Sequence, residues 1–314
     1  MCKKKGGYPA ILEGMERNLH CTPWPANFPR VVAMSSGVAL QNHPLHALAK
    51  AGDMDAAARL VLDLAKPDKI RMLAAQFPDA VIVPVHAQEA SGINHIPRKF
   101  ADYIAHLTGL EADTDVIQAT TVFRTGKGGW YRMAFRPEFD GPVRPGREHI
   151  LVDDCVTGGG SLSELRQHII RGGGNVVAMS TIGYAQFSTN IALTENTRNA
   201  LTIRYNGKLL YDWLQQHNIY NGEVGALTES EARLIYNAKS LNTATERLSE
   251  AKQQEFAASQ PELFPKRSRQ EEIEALSAHR VGEEISKDRQ AVLDLLMAAD
   301  REDHAKGNDN EHSR

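Results

Sequence analysis

The stretch HILVDDCVTGGGSLSELRQHII, His149 to Ile170, constrains the fold of this chain more than any other part of it. An apolar run ends in two adjacent acids, a triple glycine follows, and an amphipathic pattern begins directly behind it. A short apolar run closed by turn residues and followed by helical spacing reads as a buried parallel strand, its βα turn and the returning helix. The same alternation recurs on both sides. DAVIVPVH (79–86) reads as a buried strand, and RKFADYIAHLTGL (98–110) as a helix with Phe100, Tyr103, Ile104 and Leu107 at helical spacing. DVIQATTV (115–122) and NVVAMSTIGYA (175–185) read as further strands, and GDMDAAARLVLDLA as a helix packing on the sheet. Alternating elements of this kind predict an α/β fold, a parallel sheet flanked by helices, over 31–185.

The remainder has a different character. Residues 1–30 form an N-terminal segment. From 186 to 256 the pattern is helical, with GKLLYDWLQQHN as one helix and ESEARLIYNAKSLNTATERLSEAKQQEF as another carrying Leu234, Ala238, Leu241 and Leu248 along one face. Residues 257–314 read as a linker, a last helix and a polar, disordered tail. Between Phe123 and Glu148 no period is legible, and a connection of that length inside a domain points to a functional lid.

Composition narrows the class. No apolar run approaches the length of a membrane span, and MCKKKGGYPAILEG has no apolar core of a secretory signal behind its basic start. Cys2, Cys21 and Cys155 show no paired spacing, which predicts a reducing, cytoplasmic setting and no cysteine zinc site. A net charge of −3 makes no demand for nucleic acid.

Asp153 and Asp154 fall at the C-terminal end of their strand, where open α/β sheets bind ligands. Directly after them, Thr157 to Ser161 offers backbone N–H groups and hydroxyls at a helix N-terminus, an anion-binding arrangement. Carboxylates that accept hydroxyls beside a cradle for one phosphate suit a ribose 5-phosphate. The spacing excludes a P-loop, since RTGKGG lacks both the first glycine and the hydroxyl residue, and excludes a dinucleotide fingerprint. A helix cap on a tight turn is the competing structural reading.

ILVDDCVTGGGSL resembles the phosphoribosyl-pyrophosphate (PRPP) motif of the type I phosphoribosyltransferases. VIVPVHAQEASGINHIPRKFADYIAHLTGL further resembles their ComF-like branch, in which a strand of this kind leads into a loop with Gly-φ-Asn, here Gly92, Ile93 and Asn94. The resemblance implies that Asp153 and Asp154 hold the ribose hydroxyls and that Thr157, Gly158, Gly159, Gly160 and Ser161 wrap the 5-phosphate. It further implies that His86, Ala87, Gln88, Glu89, Ala90 and Ser91 form the pyrophosphate loop. Arg124, Lys127, Arg132 and Arg136 on the lid become the cations facing departing pyrophosphate, with Mg²⁺ as cofactor, carried by PRPP and at most by Asp153 and Asp154. The sequence departs from many relatives at Gly158, where a hydroxyl residue is common. At Thr157, hypoxanthine-guanine enzymes place an acid, and the four-cysteine zinc module of ComF proteins is absent.

The implied activity is transfer of ribose 5-phosphate from PRPP to a nitrogenous acceptor, with release of pyrophosphate. A PRPP- or nucleotide-binding regulatory protein of DNA metabolism is the alternative. The region around HCTPWPANFPRVVAMSSG or the C-terminal helices would supply the acceptor hood. Minor signals are His43 and His46 in HPLH, read as structural rather than metal-binding. Trp130, Tyr131 and Phe135 lie among the lid arginines, suited either to stacking or to packing. QPELF (260–264) resembles a peptide that docks on sliding clamps. The expected partners are PRPP and a small acceptor, with a second copy, DNA or a clamp behind them, and no membrane.

Overall fold

The computed structural model describes residues 21–86, 88–89, 92–120 and 126–258. In chain order, β1 (Val32–Ala33) leads into four helices, α1 (Gly37–Gln41), α2 (His46–Lys50), α3 (Met54–Leu64) and α4 (Pro67–Gln76). Then follow β2 (Val81–Pro84), the short strands β3 (Gln88–Glu89) and β4 (Gly92–Ile93), α5 (Ile96–Thr108), β5 (Glu111–Ala112) and β6 (Ile117–Gln118). The middle of the chain holds α6 (Gly129–Ala134), β7 (Phe139–Asp140), β8 (Glu148–Val156), α7 (Gly160–Arg171) and β9 (Asn175–Tyr184). Four helices complete it: α8 (Glu195–Tyr205), α9 (Gly207–Gln216), α10 (Glu229–Tyr236) and α11 (Leu241–Ala258).

Five of the strands form one sheet in the order β1-β9-β8-β2-β5, with every pair parallel. The expected α/β architecture is therefore present, and β8 lies at its centre. Side chains alternate across a strand, so Ile150 and Val152 join Ile82, Ala178 and Ile182 against α3, α4 and α5, while Leu151 joins Val81, Val83 and Met179 on the face covered by α7. All of these are buried. Each side chain of this size removed from water stabilises the fold by about 2 kcal/mol relative to exposure. The helix α5 starts with a proline in its first turn and stops at Gly109, which takes the left-handed conformation at φ +77°.

Three sequence expectations change. The strand expected over 115–122 does not enter the main sheet: β6 pairs antiparallel with β7 in a separate two-stranded ribbon. The stripe from Leu234 to Leu248 is not one helix, because α10 ends at Tyr236 and α11 starts at Leu241. Its residues pack inside the chain, with Ala238 and Leu248 buried among Trp213, Leu214 and Ile235. The stretch from 126 to 148 is not a structureless lid either. Tyr131 and Met133 of α6 are buried, with Met133 in the core of the helical region, and the Tyr131 hydroxyl donates to Glu255 of α11 at 2.6 Å. Trp130 packs against the same core, and the Tyr131 and Phe135 rings lie 4.7 Å apart, so these aromatics are committed to packing.

An ionic cluster ties the helical region to the sheet layer. Arg136 pairs with Glu164 of α7 at 2.5 Å and with Glu231 of α10 at 2.8 Å, and its guanidinium lies 3.9 Å from the Tyr220 ring centre. Tyr220 in turn donates to Glu231. Removing one member of such a cluster leaves buried charges without a partner. Arg136→Met is accordingly expected to lower unfolding stability by about 3 kcal/mol, readable as a reduced urea midpoint at unchanged m-value. A loss below about 0.5 kcal/mol would show that the cluster contributes nothing net.

Candidate functional site

The central strand delivers its polar end to a cleft. Asp153 and Asp154 are the sixth and seventh residues of β8, and the alternation that buries Ile150 and Val152 on one face sends Asp154 the same way, toward α2 and the start of α5. There the carboxylate is enclosed. Its Oδ2 lies 2.5 Å from Nζ of Lys50, the last residue of α2, and accepts from Asn94 Nδ2 at 2.9 Å. Asn94 is itself fixed, its Oδ1 accepting from the Ile96 backbone N–H at 3.2 Å as α5 begins. Asp153, on the opposite side of the strand, accepts from the backbone N–H of Asp154 at 2.8 Å.

Burial by itself would raise the Asp154 carboxyl out of its ordinary range. The adjacent Lys50 charge and hydrogen bond, the Asn94 amide and the His46 field outweigh it, so the group titrates below the ordinary carboxylate value. It is ionised at neutral pH.

The loop after β8 turns sharply into α7. Gly159 is the N-cap of that helix at φ +76°, and Ser163 N–H donates back to its carbonyl at 2.9 Å. The first-turn N–H groups of α7 thus face the loop. A Cβ at Gly159 would come within 2.9 Å of Ile191 Cγ1 and 3.2 Å of Thr228 Cγ2, whereas one at Gly158 would meet nothing within 4 Å. The loop is also tied from outside: Thr228 Oγ1 donates to the Gly158 carbonyl at 2.6 Å while forming a reciprocal capping box with Glu231 at the start of α10. The helical region thereby helps set the shape of the glycine loop.

The structure gathers many of the predicted residues and not others. Asp153, Asp154, Thr157, Gly159, Gly160 and Ser161 line one cleft, and Arg132 joins them from α6, its guanidinium contacting the Thr157 hydroxyl. Gly158 and Lys127 line an adjoining hollow that shares Arg132, Thr157 and Gly160 with the cleft. Lys127 Nζ sits 3.8 Å from Glu255 and 4.5 Å from the Tyr131 ring centre. Arg136, expected among the lid cations, is instead held outside the cleft lining by its ion pairs with the half-buried Glu164 and the buried Glu231. His86 is half-buried and outside the cleft lining, and Gln88–Glu89 pairs antiparallel with Gly92–Ile93 as a tight hairpin. Ala87, Ala90, Ser91 and Arg124 lie outside the described residues, as does QPELF.

Sequence reasoning missed three contributors. Lys50 and His46 lie one turn apart on α2 and both line the cleft. His46 drew notice only beside His43, which instead bonds Asp63 at 3.2 Å. The i, i+4 spacing puts His46 and Lys50 on one face of α2, and only the fold brings that face to β8. Asn94 was noticed in its Gly-Ile-Asn setting without a role. In the described part of the segment expected as a hood, the Thr22 and Pro23 carbonyls accept from Arg166 of α7 at 2.8 Å, and Trp24 N–H donates to Gly225 O. None of its described residues lines the cleft.

Among the described residues no three His, Cys, Asp or Glu side chains are gathered for a metal. Mg²⁺ requires near-octahedral oxygen coordination, and the best-placed oxygen, Oδ2 of Asp154, already faces an ammonium and an amide. Engaged in this way, Asp154 does not fit a divalent cation held on that oxygen.

No family model matches the chain. The Escherichia coli protein TraN is 34% identical over 232 residues, which cover 73% of this chain and 51% of TraN. An uncharacterized protein of Haemophilus influenzae is 34% identical over 163 residues, 51% of this chain and 36% of that protein. The chain thus spans about half, or less, of the length of these curated relatives. Solved structures with some likeness include an adenine phosphoribosyltransferase, at 18% identity and TM-score 0.29, covering 41% of this chain and 71% of that one. Another, from Rhodothermus marinus, has 16% identity and TM-score 0.26, covering 40% and 84%. Among the described residues no helix is long and apolar enough to cross a membrane.

Two outcomes follow from the site's geometry. Gly159→Ala places a side chain at positive φ against Ile191, and is expected to cost about 2 kcal/mol of stability, while Gly158→Ala leaves the thermal midpoint within about 2 °C. Equal effects in a melting experiment would refute this account of the loop. The Cys155 thiol, pushed up to about 12 first by burial and then by Asp154 and Asp153, is expected to resist iodoacetamide at pH 8 in the folded protein. Cys21, raised to about 11 chiefly by burial, is expected to do the same. Mass-mapped labelling of either cysteine within minutes would contradict those environments.

Proposed function

We propose that the cleft binds a ribose 5-phosphate unit, presented as PRPP, and that the chain is a phosphoribosyltransferase acting on a nitrogenous acceptor. The observation that carries this reading is the meeting of the buried acids Asp153 and Asp154 with the Thr157–Ser161 loop in a single cleft at the end of the central strand. Acids that accept hydroxyl hydrogen bonds and a helix N-terminus that accepts an anion match the two ends of the sugar phosphate. Asp153 and Asp154 would receive the ribose 2- and 3-hydroxyls, and the loop the 5-phosphate. Arg132, poised on Thr157, adds positive charge beside that phosphate. The Asn94 bond to Asp154 gives the Gly-Ile-Asn sequence a physical role, and supports placing the chain near the ComF-like branch.

In the transfer, the bond from ribose C1 to pyrophosphate breaks and a bond from C1 to an acceptor nitrogen forms. The pyrophosphate leaves with the electron pair, and the acceptor loses a proton. The transition state has oxocarbenium character, as in glycoside cleavage, so the protein's contribution is positioning and charge stabilisation. Mg²⁺ accompanying PRPP would be held by substrate oxygens and water.

A second reading, in which PRPP or a nucleotide is bound and not turned over, is favoured by the engagement of the cationic segment. Arg136 is consumed by Glu164 and Glu231, and Tyr131 and Lys127 are held by Glu255, which leaves fewer cations to face departing pyrophosphate. Calorimetric titration with PRPP separates these readings from a purely structural loop. The wild-type chain is expected to bind with micromolar affinity, and Asp154→Asn to lose at least about tenfold, the value of one charge-assisted hydrogen bond. Absence of binding by a folded wild-type protein would end both readings. Pyrophosphate release with pooled nucleobases then distinguishes transfer from binding alone.

A further inference from the structure

We propose that Lys50 is a built-in counter-cation of Asp154, so that this cleft binds its sugar phosphate without a divalent metal on Asp154. The proposal rests on the sugar-phosphate reading above and concerns the electrostatics of that same site. Its basis is geometric. The ammonium of Lys50 lies 2.5 Å from Asp154 Oδ2, and both side chains are largely shielded, 14% and 10% exposed. Asn94 donates to the same oxygen at 2.9 Å, so two donors converge on it.

A divalent cation bound to that carboxylate would have to displace both donors, or sit against an ammonium of like sign at a few ångströms. Repulsion of this kind is weakly screened where water is scarce. Lys50 is not placed there by chance of a long surface side chain. It ends α2, whose Ala49 is fully buried in the core beneath the cleft, and His46 one turn earlier lines the same cleft. The helix is therefore anchored, and its last residue is aimed at β8.

An ammonium differs from Mg²⁺ in what it asks of the ligand. It is a hydrogen-bond donor of fixed charge, and it does not require six oxygens in a fixed geometry. A ribose whose hydroxyls approach Asp154 could accept from Lys50 while donating to the carboxylate. The cation is tethered, so no metal-binding equilibrium precedes sugar binding.

Ribose 5-phosphate is the suitable probe, because it carries both recognition ends and has no pyrophosphate to chelate metal. Calorimetric titration of the full chain in EDTA and in Mg²⁺ is expected to give dissociation constants within about twofold of each other. Lys50→Met is expected to weaken binding in EDTA by at least tenfold, and Lys50→Arg to restore most of the loss. A wild-type affinity that falls tenfold or more in EDTA overturns the proposal.

Mn²⁺ titration followed by electron paramagnetic resonance, without sugar phosphate, supplies an arm independent of the functional reading. Wild type is expected to show no site tighter than about millimolar that Asp154→Asn abolishes. Such a site would refute the counter-cation role even if ribose 5-phosphate never bound. Failure of the sugar phosphate to bind in either buffer, with no Mn²⁺ site, would sink the sugar-phosphate reading and the proposal's functional half with it. Because the wild-type comparisons decide the question, a Lys50→Met protein that fails to fold does not leave it open.

Discussion

A parallel strand covered on both faces can present polar groups only at its ends, and β8 places the acids of the cleft at one end. Its apolar middle is packed between α5 on one side and α7 on the other. The pleat then decides which acid faces which way. Asp154 follows Ile150 and Val152 toward α2 and meets Lys50 and Asn94, while Asp153 falls on the other face beside the turn. Core packing and site chemistry are thus one constraint, because a register slip of one residue would exchange the two carboxylates and remove Asp154 from its counter-charge.

The glycine loop depends on a second layer. Gly159 adopts a conformation that a side chain resists, and its neighbours Ile191 and Thr228 come from beyond the sheet domain. Thr228 caps α10 and holds the Gly158 carbonyl with the same hydroxyl. Arg136 joins α7 to α10 nearby, and Glu255 of α11 holds α6, which carries Arg132 to the loop. The helical region is therefore part of the site's support. Movement there would be felt at the glycine loop through three short, directional contacts rather than through diffuse packing.

The corrections to the sequence reading share one cause. Periodicity reports which face of an element is apolar, and it is silent on which partner covers that face. The stretch from 126 to 148 lacked a period because α6 spans only Gly129–Ala134 and β7 is two residues long. Its aromatic and basic residues looked mobile until the cores they enter were visible. Arg136 is the plainest example: a basic residue in an irregular stretch suits a lid, and only the approach of Glu164 and Glu231, 28 and 95 residues away, makes it a buried tie.

The sequence alone determined the parallel α/β class, the strand that ends in Asp153 and Asp154, the helix that follows, and the glycine-rich turn of Thr157 to Ser161 between them. These are local, encoded by patterns of a few residues whose spacing matches a strand, a turn and a helix. Tertiary structure decided what surrounds them. Lys50 reaches Asp154 from a five-residue helix more than a hundred positions upstream and Asn94 reaches it from sixty positions away, while Thr228 holds the Gly158 carbonyl from seventy positions downstream. No local pattern marks a lysine as the partner of a distant acid. Its charge acquires that meaning only when the fold brings the two together and excludes the water that would otherwise screen them.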